Sequence, residues 1–331
     1  SIQGHAGTAA PFNFNGLVRH YFLREAPEQG DLQVNLLPKE GRARASHEIA
    51  LELRRLLRDM ETPGGTVIKV VEVPPGPPVL ATLLAEVYGP DGETRREVAG
   101  LVRETFETVP FIVDVDDSFG RPAERLRIAI DQDNLEYHGV EQGDVYETVS
   151  ALMNGVPVGY SHRGGGRYPI EIAIALPRGE KVFTERLLST PVPANALPGN
   201  RSIVELGDVV TLRREQASYP VFRHNGRAAE MVTADLAGDF EAPVYGMIEV
   251  SSLLDDIDWP GGVAPVVSLH GQPEDESHAT ILWDGEWEVT WVTFRDMGAA
   301  FMVALLGIYV LVVAQFGSFR LPLVILTPIP L

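Results

Sequence analysis

The segment "HGQPEDESH" (270–278) holds two histidines and three carboxylates in nine residues. Imidazole and carboxylate together suit a divalent cation such as zinc. The same residues have a plainer reading: Pro273 followed by Glu274, Asp275 and Glu276 is what a helix start favours, because proline loses no hydrogen bond there and acids meet the positive end of the dipole. A helix from Glu274 to Phe294 is therefore the expectation, and no metal ligands are assigned. His5, His20, His47, His138, His162 and His224 stand singly, without ligand spacing.

No nucleophile elbow, metalloprotease motif or dinucleotide fingerprint occurs, so neither enzyme activity nor a cofactor is expected. The pairs Asp116-Asp117 and Asp255-Asp256 read as solvated turns. The absence of cysteine excludes disulfides, thiolate catalysis and cysteine-ligated zinc, without fixing the compartment. In "AAPFNFNG" (9–16), Phe12 and Phe14 alternate with Asn13 and Asn15, offering apolar faces beside orienting amides; with Tyr21 nearby, this loop is the candidate ligand contact, the alternative being phenylalanines that plug a core. Trp283, Trp287 and Trp291 recur every four residues. They read either as a core stripe or, given the apolar run that follows, as an interfacial belt with wet indole N–H groups.

That run fixes the class of protein. Met297 to Phe316 contains no charged side chain, and twenty residues at about 1.5 Å rise give about 30 Å, the thickness of a bilayer's hydrocarbon core. A second apolar segment begins after Arg320, which suggests part of a polytopic membrane protein, with an upstream span expected to export the large domain. The remainder has the composition of globular material. Its formal net charge of −19 excludes nucleic acid as a partner.

The preceding elements repeat. "LVRHYFL" (17–23) and "DLQVNLL" (31–37) suggest a hairpin. A helix with Ile49, Leu53, Leu56 and Leu57 on one face follows Ser46, then a strand over 66–73 ended by "PPGPP" (74–78). A second strand-helix-strand unit runs through 82–89, 93–108 and 111–117. A third takes 228–236, 244–256 and 263–271. Two units a hundred residues apart complete one α+β sandwich if the intervening 119–221 forms a domain of its own. Within that insert, strand 124–131, a helix through 143–155 and a hairpin with Gly164-Gly165-Gly166 at its tip are expected.

The order of elements, with "DQDNLEYHGVEQGDVYETVSALMNG" (131–155) and "QFGSFRLPLVILTPIPL" (315–331), resembles the second large periplasmic loop and following span of resistance-nodulation-division (RND) efflux permeases. "RYPIEI" (167–172) is similar to a phrase of the metal-exporting branch, and "WDGEWEVT" (283–290) to a further branch. The resemblance implies an α+β fold of repeated split βαβ, ferredoxin-like porter subdomains with an inserted α+β docking domain, then a transmembrane helix. Residues 1–79 would form one porter subdomain, incomplete at its N-terminus. Residues 80–118 with 222–290 would form a second, 119–221 the docking funnel, and 291–331 the membrane helix and the start of the next segment.

The implied function is proton-coupled export of small amphiphiles or cations across the inner membrane, with residues 1 to about 290 in the periplasm. The implied partners are two further copies in a homotrimer, a periplasmic adaptor, an outer-membrane channel and the lipid bilayer. Phe12, Phe14, Asn15 and Tyr21 fall at the family's switch loop and are the candidate substrate-pathway residues; Trp283, Trp287 and Trp291 are the candidate membrane interface. Met60, Met153, Met231 and Met247 are dispersed, which speaks against copper or silver. The rival readings are a membrane-tethered extracytoplasmic interaction or sensor module and an RND relative for lipid transport or secretion.

Overall fold

A computed structural model describes residues 1–327, apart from 64–65, 73–78, 164–165, 183, 197–198, 200–201, 239 and 241. The expected "PPGPP" break and two of the three glycines at the hairpin tip lie outside the described residues. The chain forms two compact units, Ser1–Arg121 with Tyr219–Leu331, and Pro122–Ser218.

The first unit is built on a five-stranded sheet of order β14-β15-β3-β13-β4, comprising β3 (Leu83–Tyr88), β4 (Ile112–Asp117), β13 (Glu230–Leu236), β14 (Val266–Ser268) and β15 (Thr280–Gly285). Among the described strands only β14 and β15 run parallel. Helices α3 (Gly92–Thr108) and α8 (Pro243–Leu254) cover one face. Val98, Val102 and Phe106 from α3 and Met247, Val250 and Leu254 from α8 pack on Leu83, Ala85, Val87, Val232, Ala234 and Ile281. Asp91 starts α3 by accepting the Thr94 N–H at 2.8 Å. The two strand-helix-strand units thus close one sheet, as the pattern predicts.

Three expectations need correction. Residues 280–285 are not helical. They form β15, hydrogen-bonded along β3 from Thr280↔Tyr88 to Gly285↔Leu83, so the segment read from 263–271 as the last main strand contributes only the short edge β14. Trp283 is consequently a core residue rather than part of an interfacial belt; it is 1% exposed and stacks on Phe106 at 6.0 Å. The acids at 274–276 do not start a helix: Asp275 accepts the Ser277 N–H in a turn and Glu276 pairs with Arg227.

Residues 1–72 differ too. The hairpin is β1 (Ile2–Ala6) with β2 (Gly30–Val34), not 17–23 with 31–37. Asn13 caps the short helix α1 (Phe14–Val18) by accepting the Gly16 N–H at 2.7 Å, and Tyr21–Leu23 form a single 3-10 turn. A further 3-10 turn spans Lys39–Gly41. Helix α2 (Ser46–Arg58) forms as expected, with Leu53 and Leu56 exposed. No strand forms over 66–72 because side chains claim its backbone: the Val70 N–H donates to Asp114 at 3.3 Å and its carbonyl accepts from Arg54 at 2.6 Å.

After β15 the chain turns directly into α9 (Glu286–Phe316), whose 31 residues carry the uncharged run and include no buried residue. Helix α10 (Arg320–Leu326) follows the Gly317 cap. The 3-10 turn Pro260–Gly262 and the two-residue strands β11 (Arg223–His224) and β12 (Arg227–Ala228) complete this unit.

The second unit pairs β5 (Glu124–Ile130) with β10 (Val210–Gln216), β6 (Val156–Ser161) with β7 (Ile170–Ile174), and β8 (Pro191–Ala194) with β9 (Ser202–Glu205). Helices α4 (Gln132–His138), α5 (Gln142–Asn154), α6 (Glu185–Leu188) and α7 (Leu206–Val209) and the 3-10 turn Arg178–Glu180 link them. Its core gathers Leu135, Val145, Val192, Leu206 and Val209. The β6–β7 hairpin is the long one anticipated, and its Val158, Tyr160, Ile170 and Ile174 are exposed.

Gly285 joins the sheet to α9 at φ 73°, and a Cβ there would lie 2.7 Å from the Ala81 carbonyl oxygen. Gly285→Ala should lower unfolding free energy by about 1–3 kcal/mol in denaturant titration, the range for an enforced strained backbone. Gly100→Ala on α3, where nothing lies within 4 Å, should be neutral or stabilising by up to about 1 kcal/mol.

Candidate functional site

Strand alternation decides what the other face of the sheet carries. Since Leu83, Ala85 and Val87 face the helices, Thr82, Glu86 and Tyr88 take the helix-free side. On β13, Val232 and Ala234 enter the core, which turns Asp235 outward, and on β15 Asp284 follows the buried Trp283. Each of these polar groups is partly or wholly removed from water, so each needs a partner.

Along β13 and β4 the partners come from residues 1–72. Arg19 reaches Asp235 with both terminal nitrogens at 3.0–3.2 Å, and Thr82 Oγ1 donates to the same carboxylate at 3.0 Å. The two side chains of the ion pair are 9% and 13% exposed. Burial opposes the Arg19 charge, but Asp235, with Tyr21, more than offsets it and the guanidinium is held more firmly protonated than usual. Tyr21 is bonded to Arg19 and lies under Arg24 at 5.3 Å; its burial raises its pKa.

Further along, Arg54 donates to Asp114 at 3.0 Å and Lys69 meets Asp116 at 2.6 Å. Asp114 occupies left-handed backbone at φ 56°, beside a register shift between Thr233 and Asp235 in the β13–β4 pairing. The irregularity aims its carboxylate at Arg54. Burial raises the Asp114 pKa and Arg54 offsets part of that rise.

Along β3 and β15 the balance is different. Glu86 is fully buried. Its Oε2 accepts from Tyr88 Oη at 2.5 Å, while Oε1 is buried with no hydrogen-bond donor among the described residues. His224 Nε2 lies 3.4 Å from Glu86 Oε1 and 4.0 Å from Asp284 Oδ2, and Asp284 interacts with Glu86 itself as well as with Glu288 on the first turn of α9. The histidine is delivered by the β11–β12 hairpin, whose Asn225-Gly226 turn sits at φ 47° and 84°, as a type I′ turn requires. Gln272 steadies the group, donating to Tyr88 Oη at 2.9 Å and to the His224 carbonyl at 3.0 Å. Burial pushes the Glu86 and Asp284 carboxyls above the ordinary range.

The residues expected to line a pathway are separated by exposure. Phe12 and Phe14 are 79% and 56% exposed, Asn15 has a buried Oδ1 without a hydrogen-bond donor among the described residues, and Tyr21 belongs to the Arg19 anchor. Trp287 donates to the Leu269 carbonyl at 2.8 Å and leans on Trp291 at 6.1 Å, with His270 tilted against Trp291 at 5.3 Å. Pattern reading overlooked Glu86, His224 and Asp284, which lie far apart in the sequence. Two signals were present: a glutamate inside the apolar strand "LLAEVY", and the Asn-Gly turn beside a lone histidine.

The chain matches the AcrB/AcrD/AcrF family over residues 2–331. Among curated proteins, it is 24% identical over 255 residues to Protein HelA of Legionella pneumophila and 22% identical over 255 residues to the cobalt-zinc-cadmium resistance protein CzcA of Cupriavidus metallidurans, covering 76% of this chain and 22% of each relative. The chain thus spans about a fifth of the length of these relatives. A crystal structure of a heavy metal efflux pump, crystal form II, superposes with a TM-score of 0.68 at 19% identity over 94% of this chain and 30% of the pump chain, which establishes the mixed α+β fold.

The raised carboxyls make stability pH-dependent. Below the ordinary carboxylate range Glu86 and Asp284 are protonated in both folded and unfolded chain; as pH rises towards their folded-state values the unfolded chain ionises first, and stability falls. Glu86→Gln should remove part of this fall, leaving the variant about 1 kcal/mol more stable than the parent at neutral pH. Thermal melts from acidic to neutral pH should show the advantage vanish at the acidic end.

Proposed function

The chain belongs to the AcrB/AcrD/AcrF family of RND permeases, and from that premise we propose that it is the periplasmic porter and docking part of an inner-membrane exporter of divalent metal cations. The observation that carries this reading is the family match across residues 2–331, joining the split sheet and the long apolar helix in one unit. The metals for which CzcA is named, and the heavy metal efflux pump that superposes on the chain, favour a metal over the small amphiphile that the sequence also allowed. The acid-rich helix-free face fits cationic cargo.

In this reading residues 1–79 form one porter subdomain, 80–118 with 222–290 a second, and 119–221 the docking domain. Helix α9 crosses the bilayer, Trp287 and Trp291 sit near its periplasmic boundary, and residues before about 290 lie in the periplasm. Elsewhere in the transporter, proton flow supplies the energy. A homotrimer would engage an adaptor and an outer-membrane channel, with the exposed apolar β6–β7 hairpin available for contact. Phe12, Phe14, Asn15 and Tyr21 form a switch loop: exposed rings at one end, and at the other a tyrosine tied to the sheet through Arg19 and Asp235.

A strain lacking the transporter that contains this chain should become sensitive to zinc, cobalt or cadmium, and complementation should restore resistance. Sensitivity confined to amphiphilic drugs would overturn the cation assignment. Replacing Phe12 and Phe14 together by alanine should reduce metal export about tenfold, the effect of losing about 1.4 kcal/mol; unchanged export would remove the loop from the pathway.

A further inference from the structure

The Glu86 group has the donors of a cation site and lacks a cation's worth of positive charge. Glu86, His224 and Asp284 each offer one ligand atom, all within 4.8 Å of one another. In a tetrahedral site with bonds of about 2.0–2.1 Å, neighbouring donors stand about 3.3 Å apart. The His224 Nε2 to Glu86 Oε1 distance of 3.4 Å already meets this, and the 4.0 Å to Asp284 Oδ2 needs a modest closure.

The independent pointer is Glu86 Oε1. It belongs to a side chain that is 1% exposed, meets no hydrogen-bond donor among the described residues, and faces His224 and a second carboxyl group, Asp284, with which Glu86 interacts. A buried acceptor left in this state keeps the full cost of its desolvation unless something occupies it. Its sister atom Oε2 is held by Tyr88, and Tyr88 in turn by Gln272. Such outer contacts orient a ligand and leave one lone pair free. His224 and Asp284 are 28% and 13% exposed, so the group opens to solvent on one side.

We propose that Glu86 Oε1, His224 Nε2 and Asp284 Oδ2 bind one borderline divalent cation, of the class of Zn²⁺ or Co²⁺, with Glu288 supporting Asp284 from α9. One imidazole and two carboxylates select such ions over Cu⁺ or Ag⁺, which prefer thiolate and thioether. The inference deepens the exporter reading by giving its cargo class a place on this chain, but binding is measured apart from transport.

The test is titration of the purified full chain in detergent with Zn²⁺ by calorimetry and with Co²⁺ by visible absorption. One saturable equivalent with the intense spectrum of four-coordinate Co²⁺ is expected. His224→Gln, on an exposed hairpin where folding tolerates change, should weaken binding at least tenfold, as should Glu86→Gln. Tyr88→Phe, which removes only an outer hydrogen bond, should cost about tenfold, at the low end for such contacts. Asp275→Asn in the nearby acidic turn should bind like the parent. Absence of saturable binding, or His224→Gln binding like the parent with unchanged circular dichroism, overturns the site. Binding without metal sensitivity of the deletion strain would instead count against the exporter reading and leave the site standing.

Discussion

Charge on the sheet face opposite α3 and α8 must be compensated, and most of the molecule's specific features answer that requirement. A βαβ sandwich of this size can bury one face with leucine, valine and aromatic side chains from two helices. The other face here carries Glu86, Asp114, Asp235 and Asp284, and leaving such carboxylates buried and unpaired costs several kcal/mol each. Arg19 and Arg54 come from residues far away in sequence and lie against this face. Their placement explains why residues 1–72 hold position without strand pairing to the main sheet among the described residues: hydrogen bonds from Arg19 to Asp235, and from Arg54 and the Val70 N–H to Asp114, take the place of a ladder.

The same requirement separates an anchored half of the face from a half with open chemistry. On β13 and β4 guanidinium and ammonium groups meet the acids. On β3 and β15, among the described residues, one histidine faces the buried Glu86 and the partly buried Asp284, and protons or a cation must make up the difference. This second half lies beside Gly285, where the sheet passes without a loop into the apolar helix. A change in the group's charge is therefore applied next to the long apolar helix α9, and Glu288 stands on that helix's first turn.

Much of the architecture was legible because it depends on periodicity. The uncharged run from Met297, the amphipathic α3, and strands at 83–88, 112–117 and 230–236 all follow from local pattern. Failures came where distant residues set the local state. Residues 280–285 look like the body of a helix led by Pro273, but the open edge of β3 claims their backbone and draws Trp283 into the core. Residues 66–72 look like a strand, but Asp114 and Arg54 satisfy Val70. The Glu86, His224 and Asp284 group belongs to tertiary structure altogether: its members are unremarkable in sequence, except that a glutamate inside an apolar strand must be either paired or functional.

If compensation on the helix-free face organises the fold, Arg19 and Asp235 are energetically coupled. The direct measurement is a double-mutant cycle with Arg19→Met, Asp235→Leu and the pair, followed by denaturant unfolding read from the fluorescence of the buried Trp283. Each single change should cost about 3 kcal/mol or more, because it strands the other charge, while the double change should recover at least about 2 kcal/mol of their sum. Additivity of the two single changes to within about 0.5 kcal/mol would contradict the account.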